Sequence, residues 1–265
     1  ALPTYLTFDL AWPLLVSGGQ VFVVQRDTVV NGHNQLWVLD KNSLSAVQKV
    51  GLGQGWVYYG LARDAQSGTV YVSENSWGKV YTLTRGADGM LTNGGAIVAA
   101  GAGRLAVDSA THRLVVGRHG ASQAYLFDTQ TRLSVGAPYS PYSPADIALD
   151  PAGGRAFLPG KYANSLAVID LKKSILSAIV EFKSDRPFDL VLEPESRRAF
   201  IAAGDSNSVL YWNRDSGAIE RVVQFDPYPP ASIAHFRGSD FAFLQAGSYL
   251  RSLNTANGVA DWMWD

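Results

Sequence analysis

The amino-acid sequence predicts an all-β protein, a β-propeller of six four-stranded blades in a single domain spanning residues 1–265. Three observations predict this fold. A segment of about 43 residues recurs along the chain, each copy contains four short runs rich in β-branched and aromatic residues, and no stretch keeps a helical period. A repeat of this length with four strands per copy is typical of propeller blades.

The repeat is clearest in the second half of the chain. Phe157, Phe200 and Phe243 are spaced 43 residues apart, and the Asp150-Pro pair recurs 43 residues later as Glu193-Pro. A seventh copy would need about 40 more residues than remain, so seven blades are less favoured than six. The six copies start near Leu14, Leu61, Leu105, Ile147, Leu190 and Ile233.

The copies predict blades at residues 14–53, 57–102, 103–143, 144–185, 186–229 and 230–265. The remaining residues, 1–13, contain the strand-like run TYLTFDL, and the last copy already has a fourth strand in VADWMWD. We therefore expect residues 1–13 to act as a closing strand on the edge of the last blade, where they would cover exposed backbone groups.

Each copy alternates strands with recognisable turn chemistry. In the fourth copy the strands read DIALD, RAFLPG, SLAVID and ILSAIVEF. The first hairpin closes with DPAGG, in which Pro sets φ and Gly tolerates positive φ, and the third closes with DLKKS. The equivalent turns of the next copy are EPESR and NRDSG.

The segment LDPAGGRAFLPGKYANSLAVIDLKKSILSAIVEF resembles the YVTN family of propeller repeats, and more loosely the lactonase-like and amine-dehydrogenase-like propellers. The resemblance covers residues 61–225 well and both ends less well. It implies blade structure only, because the repeat motif contains no catalytic residue that could be transferred to this chain.

Composition excludes several classes of partner. The net charge of −1 and pI near 6.5 argue against nucleic acid, and no apolar run reaches the roughly 18 residues of a spanning helix. The absence of Cys excludes disulfides, thiolate metal sites and a cysteine nucleophile. The first residues, Ala-Leu-Pro, fit a chain whose signal peptide has been removed, which predicts a periplasmic or secreted protein; a shortened chain is the alternative.

Three charged residues occupy equivalent repeat positions, at the start of the innermost strand. Arg104, Asp146 and Asp189 would face a common axis at the mouth of a central channel. One interpretation is a structural ion pair, a second is a binding mouth, and a third is a divalent cation held by the two carboxylates. Two side chains are few ligands for a metal, so no metal site is assigned.

His119 lies between Arg118 and Gly120 in a loop at the same end, and could act as an acid or base there. The alternative is an ordinary exposed loop histidine. Arg104, Asp146, Asp189 and His119 are therefore the candidate catalytic residues. The sequence contains no Gly-x-Ser-x-Gly, phosphate-binding or zinc motif.

Aromatic residues are concentrated in the connections that enter the first strands and in the loops beside them. Pro stiffens several of these connections, and Tyr and Trp are typical of interfaces. Alternatively, the rings fill gaps between blades. The predicted binding residues are Trp56, Tyr58, Tyr59, Trp77, Tyr139, Tyr142 and Tyr228, and Tyr162 lies in a neighbouring loop without an assigned role.

Three functions follow as hypotheses. The first is an extracytoplasmic scaffold that holds a protein, peptide or glycan on an aromatic, Pro-rich face. The second is a lactonase- or lyase-type enzyme with its site at the channel mouth. The third is an accessory subunit of a periplasmic redox enzyme, in which any cofactor would belong to a partner because this chain lacks the Cys residues that attach haem. Propellers host many functions, so the fold does not choose among these.

Overall fold

A computed structural model describes residues 11–25, 34–53, 55, 58–160, 162–182, 186–193, 196–226, 228–235, 239–247 and 249–264, excluding the side chains of residues 11, 12, 58, 59 and 262–264. These residues form 24 strands in six four-stranded antiparallel sheets, each in chain order. The all-β, six-bladed propeller fold class predicted from the repeat is confirmed. No helix in the described ranges has the length and apolar character needed to span a membrane.

The first three sheets follow the first three copies of the repeat. Their strands are β1 (Ala11–Ser17), β2 (Gln20–Gln25), β3 (Asn34–Asp40), β4 (Ala46–Gly53), β5 (Tyr58–Arg63), β6 (Val70–Glu74), β7 (Lys79–Arg85), β8 (Leu91–Val98), β9 (Ala102–Asp108), β10 (Arg113–Arg118), β11 (Ala124–Asp128) and β12 (Ser134–Gly136).

The last three sheets follow the copies in which the repeat is most regular. Their strands are β13 (Ala148–Asp150), β14 (Arg155–Pro159), β15 (Ser165–Asp170), β16 (Ile175–Glu181), β17 (Pro187–Leu192), β18 (Arg198–Ala203), β19 (Ser208–Asn213), β20 (Ile219–Gln224), β21 (Pro230–His235), β22 (Phe241–Ala246), β23 (Tyr249–Asn254) and β24 (Ala260–Trp264).

The chain divides into two compact units, and the division falls within the third sheet. Unit 1 comprises residues 1–119 and 128–133, and unit 2 comprises residues 120–127 and 134–265.

In the fourth and fifth sheets, both faces of the middle strands are buried, which explains their nearly continuous apolar sequences. Along β19, Leu210 and Trp212 pack in one core cluster, whereas Val209 and Tyr211 pack in another. Successive side chains of a strand point to opposite faces, so neighbouring residues serve different cores. Trp212 lies edge-on to Phe157, with ring centroids 5.6 Å apart. Unit 1 has an equivalent core that includes Phe22, Leu36 and Leu83.

The turns that join third to fourth strands repeat one pattern. In five sheets an Asp or Asn side chain accepts backbone N–H groups two or three residues later. The residue four positions on has positive φ: it is Gly in two turns, but Leu44 (55°), Arg132 (62°) and Ser174 (59°) in three others. The five capping residues are Asp40, Asp128, Asp170, Asn213 and Asn254.

Four of the outermost strands share a second feature, a bulge at the same position of the repeat. Two consecutive residues of the third strand pair with two residues of the fourth strand that are not consecutive, so one fourth-strand residue between them is unpaired. The extra residues are Val47, Val135, Ser177 and Glu220.

The predicted closing strand, residues 1–13, lies outside the described residues except for Ala11–Pro13, which begin β1. The sixth sheet has its own fourth strand, β24, paired with β23. Closure by residues 1–13 therefore stays a prediction.

Candidate functional site

The antiparallel order of each sheet places its connections at two ends. The loops between second and third strands lie at one end, together with the connections that enter the next sheet; we call this the upper end. The turns between first and second strands and between third and fourth strands lie at the other, lower end. The predicted binding residues that lie within the described ranges all belong to upper-end segments.

Bulges at the upper ends of the first strands change the direction of single residues. On β5, β17 and β21 the extra residue is Tyr59, Phe188 and Ala231 respectively. Bulges are common next to binding sites because they redirect a side chain. At Phe188 the ring occupies the space beside Gly204, where a Cβ atom would lie only 1.9 Å from Cε2 of Phe188.

The connection from β12 to β13, residues 137–147, is held firmly on unit 2. Its backbone bonds to two other upper-end segments: Ser143 N–H donates to the Ala121 carbonyl (3.0 Å), and Ala145 N–H donates to the Pro159 carbonyl (2.9 Å). Pro141 packs against Gly160, where a Cβ would lie 2.3 Å from the Pro141 Cβ. The tyrosines of this connection are thus presented by a rigid segment.

Four tyrosines of unit 2 are exposed at the upper end: Tyr139 (50%), Tyr142 (47%), Tyr162 (56%) and Tyr228 (37%). Two ring pairs include three of them. The rings of Tyr142 and Tyr162 are 6.2 Å apart, and those of Tyr228 and Tyr249 are 4.9 Å apart. We call Tyr139, Tyr142, Tyr162, Tyr228 and Tyr249 the tyrosine face.

A charged pair adjoins Tyr162. The Arg186 guanidinium donates to both carboxylate oxygens of Asp205, with Nε 2.6 Å from Oδ2. The hydrogen bonds from Arg186 hold the pKa of Asp205 below its ordinary value of 3.8. In turn, the hydrogen bonds to Asp205 raise the pKa of Arg186, and the nearby Tyr162 adds a smaller effect in the same direction. Both groups are more than a third exposed, so the pair stabilises the fold little.

The polar contacts continue toward the second tyrosine pair. Asn207, two residues after Asp205, donates from Nδ2 to Oδ1 of Asp226 (3.1 Å), and Tyr228 lies two residues further on. The upper loops of unit 2 therefore form a band in which exposed tyrosines flank one arginine and two carboxylates. Such a surface can stack on apolar or planar groups and bond to polar ones.

The predicted carboxylate Asp189 has a structural role. Its Oδ1 accepts from Leu190 N–H (2.8 Å), and its Oδ2 accepts from Ser232 Oγ (2.8 Å) and Ile233 N–H (2.9 Å). The side chain thus links β17 to β21 through neutral hydrogen-bond donors.

The other three candidate catalytic residues are divided between the two units. Asp146 is half-buried in unit 2, whereas Arg104 on β9 and exposed His119 belong to unit 1. Among the described residues, no group of three or more His, Cys, Asp or Glu side chains could hold a metal ion.

The remaining predicted aromatic residues belong to unit 1. Trp56 and the side chains of Tyr58 and Tyr59 lie outside what the structure describes. Trp77 is exposed on the loop after β6, and its backbone N–H donates to the carboxylate of fully buried Glu74 (2.7 Å).

Comparisons with known proteins give the fold alone. No family model matches, so the resemblance to YVTN repeats has no family-level support. No curated protein matches either. Among solved structures, the chain is similar to a chain of Kuenenia stuttgartiensis Hydrazine Synthase, with a TM-score of 0.74 and 13% sequence identity over 90% of this chain and 74% of that one.

Proposed function

We propose that the protein is a binding or scaffold propeller that holds a protein, peptide or glycan on its tyrosine face. The observation that supports this most is the presence of two tyrosine pairs on upper loops of unit 2, one of them including Tyr142 of the hydrogen-bonded 137–147 connection. Exposed aromatic rings that are already ordered lose little entropy on binding, which favours affinity.

The proposal includes a location outside the cytoplasm, as the sequence predicted. No observation on the described residues specifically favours the lactonase, lyase or redox-subunit hypotheses. Asp189, one of the residues assigned to catalysis, already accepts three hydrogen bonds.

The test uses a random phage-displayed peptide library and a glycan array as probes. The protein should select defined peptides or glycans, and the triple variant Y142A/Y162A/Y228A should weaken their binding by 1–3 kcal/mol for each important ring, on the order of tenfold or more. Isothermal titration calorimetry would measure this difference.

A matched control removes three exposed apolar side chains at the lower end of unit 2. Ile175, Ile219 and Val259 are exposed to a similar degree as the tyrosines. The variant I175A/I219A/V259A should bind the selected probes like wild type. Equal losses in both triple variants, or no loss in the tyrosine variant, would exclude the tyrosine face as the binding surface.

A further inference from the structure

A second site is separate from the tyrosine face and does not depend on it. Unit 2 contains a cavity of about 570 Å³ beside the first strands β13 and β17, a volume usual for small-molecule sites. Six apolar residues line its middle. They are Ile147, Ala148, Leu149, Leu190, Val191 and Leu192.

The two ends of this cavity differ in charge. Asp146 lines it at the upper end, and Asp150 and Arg214 line it at the lower end. Asp146 and Asp150 are four residues apart, about 13 Å in an extended chain, so a bound molecule could be apolar along most of that length and polar at each end.

Arg214 is the best placed group to bind a ligand there. Its side chain is 12% exposed, and its Nη2 donates to the Ser196 carbonyl (2.8 Å). Nη1 lies 3.8 Å from Oδ1 of Asp150, too far for a hydrogen bond. Within the part of the chain that the structure describes, the buried Nε has no hydrogen-bond partner.

The carboxylates near Arg214 are occupied by other arginines. Asp150 accepts from Arg155 (2.8 Å and 3.2 Å) and from Gly153 N–H (3.1 Å). Asp215 pairs with Arg155 (3.1 Å) and with Arg197 (3.3 Å). In this described network three guanidinium groups, one of them the exposed Arg197, face two carboxylates, so the network carries a net positive charge. A largely buried cation is stabilised by a further anion.

We propose that the cavity binds a small organic acid, with its carboxylate on Arg214 and its apolar body along β13 and β17. Asp146 at the opposite end disfavours a second carboxylate, because like charges repel. The site therefore prefers a monocarboxylate to a dicarboxylate of the same length.

Octanoate, octanedioate and octanol serve as probes in calorimetric titrations. Wild-type protein should bind octanoate at least about tenfold more tightly than either other probe, since a charge-assisted hydrogen bond contributes roughly this factor. Absence of octanoate binding, or equal affinity for octanol, would overturn the proposal.

Two variants localise the effect. Arg214→Gln should weaken octanoate binding about tenfold and leave octanol binding unchanged. Arg197→Gln is the control, because Arg197 pairs with the same Asp215 but is 76% exposed and does not line the cavity. Equal losses in both variants, or none in R214Q, would contradict the assignment.

A crystal of the wild-type protein soaked with 8-bromooctanoate tests the site even where R214Q fails to fold. We expect the anomalous bromine peak between Leu149 and Leu190 and the carboxylate at Arg214. A bromine peak only on the tyrosine face, or elsewhere outside the cavity, would refute this site while leaving the scaffold proposal intact.

Discussion

In unit 2 the lower turns repeat one chemical pattern from sheet to sheet, whereas the upper loops differ at nearly every position. Asp170, Asn213 and Asn254 cap equivalent lower turns with the same backbone hydrogen bonds. The upper loops instead present exposed tyrosines and an exposed ion pair. Side chains that repeat from sheet to sheet and are hydrogen-bonded to the backbone stabilise the fold. Exposed side chains that differ from loop to loop are available for recognition.

The largest expected difference between the two ends is in the stability lost when one carboxylate at each end is removed. Asp150→Asn should lower the free energy of unfolding by about 3 kcal/mol, because it leaves the partly buried Arg214 without its charged partner and removes one of the two carboxylates that pair with Arg155. Asp205→Asn should cost at most about 1 kcal/mol, because its pair with Arg186 is exposed. Urea denaturation measures both. Equal losses of stability in the two variants would show that the lower-end carboxylate is no more important to the fold than the upper-end one.

The pH dependence of the free energy of unfolding should show a second, smaller effect of the Asp150 carboxylate. Burial alone would raise the pKa of Asp150, but hydrogen bonds from Arg155 and Gly153 and the charge of Arg214 outweigh it and hold the pKa below 3.8. The unfolded chain therefore takes up this proton at higher pH than the native chain, so the stabilisation is complete above about pH 5 and is lost as pH falls below 3.8.

The measurement compares wild type with D150N in urea at several pH values. The stability difference between them should be constant from pH 5 to 7 and should shrink as pH falls from 3.8 toward 2. A difference that stays constant to pH 2 would show that the carboxylate charge is not what stabilises the lower turn.

The smallest expected effect tests whether lower turns are interchangeable. Ser174 has a φ of 59°, where its sister turns have Gly217 and Gly258. Ser174→Gly removes a backbone cost of about 1–2 kcal/mol and adds an entropic cost of about 0.5–1 kcal/mol, for a net gain of roughly 0.5–1 kcal/mol.

The reverse change, Gly217→Ser, should destabilise the protein by a similar amount. Thermal unfolding of both variants measures the shift. A loss of stability in S174G would mean that Ser174 contributes contacts that its sister glycines lack, and the turns would not be equivalent.

The sequence predicted the sheets and the lower turns well because both depend on local residues. The strands follow β-branched and aromatic runs, and DLKKS and NRDSG form the turns expected of them. The positive φ of Leu44 and Arg132 could not be predicted, because in these turns the repeated capping pattern, not the residue type, imposes the conformation.

The candidate site was only partly predictable. Tyr139, Tyr142 and Tyr228 are exposed, as their Pro-rich connections suggested. The pairing of Tyr142 with Tyr162, and of Arg186 with Asp205, depends on loops about 20 residues apart meeting at one end of the sheets. Two of the hydrogen-bond donors to Asp189 are 43 and 44 residues away, so its role as a link between strands could not be predicted from the sequence.

The bulges at Val47, Val135, Ser177 and Glu220 bear on how the protein behaves at high concentration. An outermost strand with unpaired backbone groups is a template on which other chains can polymerise. A bulge breaks the even spacing of those groups, so an incoming straight strand cannot match them along its whole length. The recurrence of the bulge in four sheets thus gives the molecule a built-in resistance to fibril growth.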